Sequence, residues 1–215
     1  MSPLFHNWLK KLARPRVLVQ LRPDQLLVAD RKIACDPRFG AEPWQGALAA
    51  LKSIEFGKAA VTVVLSNHFV RYALVPWSDS LSTEQEEEAY VRHHFAKIHG
   101  ERAKGWALRW SDGLCSAIDK ALLEELKGLF EKNKKAKLAS VQPALMATFN
   151  RARGAIPSAG AWLVMAEADR ACVALHAQGR WRSVQNARGE AAALLERERH
   201  RASGEVPDFV LQLTA

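Results

Sequence analysis

A chain of 215 residues with 48% hydrophobic side chains can bury one large core or two small ones, which excludes a disordered or fibrous protein. The 31 basic and 23 acidic residues leave a formal charge of +8 and an isoelectric point near 9.6, which suits an anionic neighbour (membrane surface, nucleic acid or acidic protein face) without choosing among them. Cys35, Cys115 and Cys172 lie far apart inside apolar runs, which argues against a disulfide framework or a Cys-x-x-Cys metal site and fits a reducing cytoplasm. No apolar stretch approaches the ~20 residues that span a bilayer, and the N-terminus lacks the apolar core of a signal peptide, so the chain is expected to stay on one side of the membrane.

Residues 2–16, SPLFHNWLKKLARPR, place Leu4 or Phe5, Trp8 or Leu9, and Leu12 at helical spacing, with Lys10, Lys11, Arg14 and Arg16 gathered at the end. A short basic amphipathic segment of this kind lies in a membrane interface, docks on its own domain, or frays. Phe5, Trp8, Lys10 and Lys11 are its candidate membrane or partner contacts. From Val17 the period changes to two: VLVQL, a turn at Arg22-Pro23-Asp24, QLLVAD, a turn at Arg31-Lys32 and IAC predict a three-strand meander. After Pro43, WQGALAALKSI sets Trp44, Leu48, Leu51 and Ile54 on one helical face, and AVTVVL then reads as a strand buried on both sides. This first module is βββαβ.

A polar break at residues 66–68 separates that strand from a second one, FVRYAL, which ends at Pro76. Ser82-Thr83-Glu84-Gln85 predicts a capping box opening a helix to about His99, with Glu84, Glu86, Glu87 and Glu88 early and Arg92, His93, His94, Lys97 and His99 late, as the helix dipole favours. WALRW, the turn Ser111-Asp112-Gly113 and LCSAID predict a hairpin with Trp106, Leu108 and Trp110 on one face. A helix over 120–133 buries Leu122, Leu126, Leu129 and Phe130. A strand near 138–141 leads to Pro143 at a helix start, and residues 151–154 read as a basic linker. The remainder repeats the opening order. AWLVMAE, a turn at Ala168-Asp169, RACVALHAQ, a turn at Gly179, RWRSVQN, a helix over 190–201 and DFVLQLT again give βββαβ.

Two βββαβ modules with a small α/β insertion carried by the first form the plan of the actin-like, ribonuclease H-like ATPase superfamily. The run VTVVLSNHFVRYALVPW before a capped, Glu-rich helix, and later LASVQPALMATFNRA, resembles the corresponding segments of type IV pilus assembly proteins of the PilM and MshI kind and of the cytoplasmic domain of the type II secretion protein GspL. The resemblance implies a degenerate, duplicated actin-like fold: a basic N-terminal segment over 1–16, a first module over 17–154 with an inserted subdomain at about 68–118, and a second module over 155–215.

Actin-like ATPases hold phosphate on a Gly-containing turn between the first two strands of each module. The corresponding turns here, 21–25 and 167–170, contain no glycine, and Pro23 has no amide hydrogen to offer. The adenosine-binding loop is expected to be absent as well, because the sequence stops just after the last strand. A ribonuclease H-like nuclease needs carboxylates within the first strand, and residues 17–21 hold none. Asp30 and Glu167 end strands and are assigned to turn chemistry. His93 and His94 point about 100° apart on a helix, with no third spaced ligand, so no metal site is expected. The basic runs at Lys132, Lys134, Lys135 and Lys137, and at Arg197, Arg199 and Arg201, lack the interleaved aromatic residues of a nucleic-acid stacking platform.

The expected function is therefore a non-catalytic cytoplasmic scaffold of a pilus or type II secretion assembly platform, without cofactor, at the inner face of the inner membrane. The resemblance implies a groove between the first module and its insertion that receives the cytoplasmic tail of an inner-membrane partner, and Arg71, Tyr72, Trp77, Tyr90 and Trp106 are its candidate lining. A nucleic-acid-binding ribonuclease H-like domain or a residual actin-like ATPase is the alternative.

Overall fold

Alternation along the first strand is visible as burial: Val19 and Leu21 are buried while Arg16 and Leu18 face out. In a computed structural model that describes residues 14–29, 31–76, 81, 83–203 and 206–214, β1 (Arg16–Leu21), β2 (Gln25–Val28) and β3 (Arg31–Ala34) form the expected antiparallel meander, with Leu21 opposite Leu26 and Leu26 opposite Ile33. The N-terminal contacts Phe5, Trp8, Lys10 and Lys11, the strand-end Asp30, and Trp77 and Ser82 lie outside the described residues.

The chain divides into two compact units, Met1–Val64 with Glu124–Val141, and Leu65–Leu123 with Gln142–Ala215. The first holds a five-stranded sheet in the order β3-β2-β1-β4-β8, where β4 is Ala60–Leu65 and β8 is Lys137–Pro143. Helix α1 (Gln45–Lys52) buries Gly46, Ala47, Leu48 and Leu51. Gly46 is required there, because a Cβ would stand 2.1 Å from the Asp36 carbonyl oxygen. Helix α3 (Lys120–Lys132) buries Leu126 and Phe130, and the Phe130 ring meets Phe56 at 5.7 Å.

The second unit contains two sheets. One is β5-β7-β6, built from β5 (Val70–Leu74), β6 (Trp106–Ser111) and β7 (Leu114–Asp119). The β6–β7 turn carries Asp112 at φ 52° and Gly113 at φ 78°, the left-handed pair that an Asp-Gly hairpin supplies. Helix α2 (Glu84–His99) buries Val91 and Phe95 against this sheet. Its capping box falls one residue later than the sequence suggested. Thr83 Oγ1 accepts from the Glu86 amide and the Glu86 carboxylate accepts from the Thr83 amide, since an ionised Glu is a stronger acceptor for the return bond than Gln85.

The other sheet runs β11-β10-β9-β12, with β9 (Ala161–Ala166), β10 (Arg170–Ala177), β11 (Arg180–Arg188) and β12 (Val210–Gln212). β9 lies between antiparallel β10 and parallel β12 and is buried on both faces, which is why its sequence is continuously apolar. Helix α5 (Ala191–Arg201) adds Leu194 to the Trp162, Val173 and Leu175 core. The first four strands of each module share one order, third-second-first-fourth, with β8 added beyond β4. The expected linker at 151–154 is instead helical. Helix α4 (Ala144–Ala152) runs through Arg151, and a 3-10 turn, Arg153–Ala155, follows, because Pro143 starts the helix and no residue before Gly154 stops it. No helix among the described residues is long and apolar enough to cross a membrane.

Candidate functional site

The polar break after β4 gathers hydrogen bonds from several elements of the second unit. β4 ends on buried Leu65, and the backbone turns through Ser66, Asn67 and His68, with the Phe69 amide donating to the Ser66 carbonyl at 3.0 Å. About a hundred residues later β9 ends at Ala166, and the turn before β10 carries Glu167 and Asp169. The Glu167 side chain, only 6% exposed, accepts from the Ser66 hydroxyl and from the Asn67 amide at 3.0 Å, and His68 Nδ1 lies 2.7 Å from it. On its other nitrogen, His68 Nε2 lies 2.5 Å from Asp169 Oδ1, and Arg188 Nε stands 3.7 Å from the same carboxylate. Glu167 is thus more than the turn residue the sequence suggested, because its carboxylate gathers three consecutive residues of a distant segment.

A carboxylate at each ring nitrogen lets both nitrogens donate at once only when His68 is protonated, so the site favours the imidazolium form. Burial works against its charge, but the bonds to Glu167 and Asp169 outweigh burial and raise its pKa. Burial likewise opposes ionisation of Glu167, and donation from His68, Ser66 and the Asn67 amide overcomes it and lowers the pKa. Donation from His68 is the main cause lowering that of Asp169. A charged His68 cannot take a proton from Ser66, and the Ser66 hydroxyl already donates to Glu167. His68 Nδ1 also lies 2.9 Å from the Ser66 hydroxyl, and in its protonated form it has no lone pair with which to take that proton, so the residues are arranged as a hydrogen-bonded clip. Burial pushes the Cys115 thiol up to about 12 and raises that of Cys172 too, so neither supplies a thiolate near neutrality. Among the described residues, no group of His, Cys, Asp and Glu is arranged to hold a metal ion.

Two further side chains fasten the clip. Tyr72 donates to Asn67 Oδ1 at 3.0 Å and accepts from the Leu145 amide at 3.4 Å, and burial raises its pKa well above the usual phenol value. Asn186 on β11 donates to the Asn67 carbonyl at 2.7 Å and the Val70 carbonyl at 2.9 Å, while its own oxygen accepts from Arg170 at 3.2 Å.

Beside Asn186 opens a groove of about 520 Å³, lined by β5 from Arg71 to Leu74, by β11 from Arg182 to Asn186, and by His94, Ile98 and His99 of α2. β5 and β11 are outer strands of their sheets. Arg71 donates to the His68 and Val70 carbonyls, both at 3.2 Å, and burial together with neighbouring Arg170 lowers its pKa. Burial and then Arg71 lower that of His99. Of the lining expected from sequence, Arg71 and Tyr72 face this groove. Tyr90 and Trp106 pack on the core between α2 and its sheet, and Trp106 meets His99 edge-on at 4.9 Å. Sequence reasoning missed Ser66, His68, Glu167 and Asp169 as a group. The only signal was two carboxylates in a glycine-free turn and a polar tripeptide between two strands, and nothing in either says that they meet.

No family model matches this chain, and no curated protein matches it by sequence. Solved structures do match in fold. A Bacteroides thetaiotaomicron protein with an actin-like ATPase fold and unknown function aligns with TM-score 0.55 at 10% identity over 89% of this chain and 79% of its own. The cytoplasmic domain of EpsL, an inner-membrane component of the Vibrio cholerae type II secretion system, aligns with TM-score 0.54 at 15% identity over 92% of this chain and 82% of its own. A chain of the PilM–PilN type IV pilus biogenesis complex aligns with TM-score 0.52 at 15% identity over 86% of this chain and 61% of its own. The chain has the actin-like fold.

Proposed function

We propose that this actin-like chain is a non-catalytic scaffold of a pilus or type II secretion assembly platform, holding the cytoplasmic tail of an inner-membrane partner at the inner face of the membrane. Fold likeness to the EpsL cytoplasmic domain and to the PilM–PilN chain supports the platform role. The observation that carries the non-catalytic part is the β9–β10 turn. Where an actin-like ATPase needs a glycine turn with free amides for phosphate, this chain has Glu167, whose carboxylate already binds the Asn67 amide, the Ser66 hydroxyl and His68. A phosphate brought there would meet two carboxylates. Arg71, Tyr72, Trp77, Tyr90 and Trp106 remain the proposed residues for partner contact, and Phe5, Trp8, Lys10 and Lys11 those for contact with an anionic leaflet.

Affinity purification of the tagged chain from membranes, with the co-purifying proteins identified, tests the scaffold role, and an inner-membrane assembly protein is the expected partner. Calorimetry with ATP and magnesium is expected to show no heat of binding. Micromolar affinity would overturn the non-catalytic reading.

A further inference from the structure

We propose that the groove bounded by β5, β11 and α2 binds a small phosphomonoester, with Arg71, Arg182, His94 and His99 receiving the phosphate and Leu74 and Ile98 the organic body. The proposal stands on this groove alone and is independent of the platform reading. β5 packs along the outer side of β11, and Asn186 joins the two by donating to the Val70 carbonyl at 2.9 Å, so the floor of the groove is closed. Its volume of about 520 Å³ lies within the roughly 300–1,000 Å³ of small-molecule sites, which leaves room for more than the anion itself.

Uncompensated charge identifies the ligand. A guanidinium taken partly out of water is ordinarily matched by an anion. Arg71 is half-buried and forms no ion pair with a described residue; its Nη1 donates only to the His68 and Val70 carbonyls, and the neighbouring charge of Arg170 adds repulsion. Arg170 itself has a buried Nε with no hydrogen bond to a described residue. Glu167 and Asp169 are already engaged by His68, and Glu198, in the hollow beyond Ser183, is engaged by Arg201 and the Ser183 hydroxyl. Arg182 is exposed, also without an ion pair to a described residue, and no carboxylate lines the groove among the described residues. Donors arriving from β5, β11 and the ring nitrogens of α2 suit the three terminal oxygens of a phosphomonoester better than the two of a carboxylate. Ile98, 59% exposed, and Leu74 supply apolar surface for the rest of the molecule.

The test follows the ring resonances of His94 and His99 by NMR in the full chain while phenyl phosphate, inorganic phosphate or phenol is added at constant ionic strength without metal. Metal is omitted because magnesium neutralises the phosphates of ATP, which makes that complex a poor probe of this groove. Phenyl phosphate should shift both histidines with half-saturation at or below ~1 mM, inorganic phosphate should act on the same residues at least about threefold more weakly, and phenol should have no effect. Arg182→Gln should weaken phenyl phosphate by about tenfold and leave the melting temperature unchanged. The proposal is overturned by no shift, by phenol or inorganic phosphate acting as strongly as phenyl phosphate, or by undiminished binding in Arg182→Gln. A response to vesicles of phosphatidic acid but to neither soluble phosphate overturns it as well, since the headgroup of a lipid would then be the ligand. Failure of these titrations leaves the platform reading standing, and failure to recover an assembly protein from membranes leaves the groove standing.

Discussion

His68 presents both ring nitrogens to carboxylates, and the sign of that arrangement fixes how stability follows pH. Its pKa is raised in the folded chain, so its contribution is complete below the ordinary histidine value and is lost as pH rises through the folded one. Glu167 and Asp169 are lowered, so theirs is complete above the ordinary carboxylate range and is lost as pH falls through the folded values. The clip is therefore strongest between about 4.5 and about 6.5. Thermal melts should show a falling midpoint from pH 6.5 to 9 in the wild-type chain and a flatter alkaline arm in His68→Gln. A parallel decline in both would remove His68 as the cause. Glu167→Gln keeps the shape and removes the charge from a buried acceptor of three donors, and urea unfolding should register a loss of about 2 kcal/mol.

Among the elements, α2 shows how a few terminal atoms help to hold a helix that buries only Val91 and Phe95. Thr83→Ala removes the acceptor for the Glu86 amide and should cost about 1 kcal/mol in urea unfolding. Two glycines give opposite expectations. Gly46→Ala drives a methyl into the Asp36 carbonyl and should lose about 1–3 kcal/mol, whereas Gly128→Ala in α3 meets nothing within 4 Å and should gain about 0.5–1 kcal/mol. A stabilised Gly46→Ala would mean that the backbone there yields freely. The elements themselves were legible in the sequence because period two, period 3.6 and the Asp112-Gly113 turn are local signals. The capping residue slipped by one, since Ser82 and Thr83 both offer a hydroxyl acceptor as N-caps and the partner three residues on, Gln85 or Glu86, decides between them. The clip was not legible, because Ser66 and Glu167 are 101 residues apart and no pattern along the chain records which turns meet.

For the whole molecule, the repeated strand order was the legible part, since the same sequence of turns and periods occurs twice. The groove beside β11 was not, because its walls come from β5, α2 and β11, each of which looks complete alone. The basic N-terminal segment bears a prediction at this scale. Deleting residues 2–12 should reduce co-sedimentation with anionic liposomes, with each removed lysine near the leaflet worth about 1 kcal/mol, and should leave the melting temperature nearly unchanged. Raising salt should mimic the deletion. A large fall in melting temperature would instead assign the segment to the core.

The division of the chain has a consequence for its synthesis. The first unit is interrupted after Val64 and completed only by Glu124–Val141, which brings β8 to the outer side of β4. On a ribosome adding roughly 5–20 residues per second, β4 emerges roughly 4–15 s before β8 has been made. During that interval the nascent four-stranded sheet has an open edge on the apolar strand AVTVVL, while the residues that will form the second unit are still being extruded. Translation speed between codons 65 and 141 therefore sets how long that edge must be shielded from neighbouring nascent chains, a vulnerability that the finished protein no longer displays.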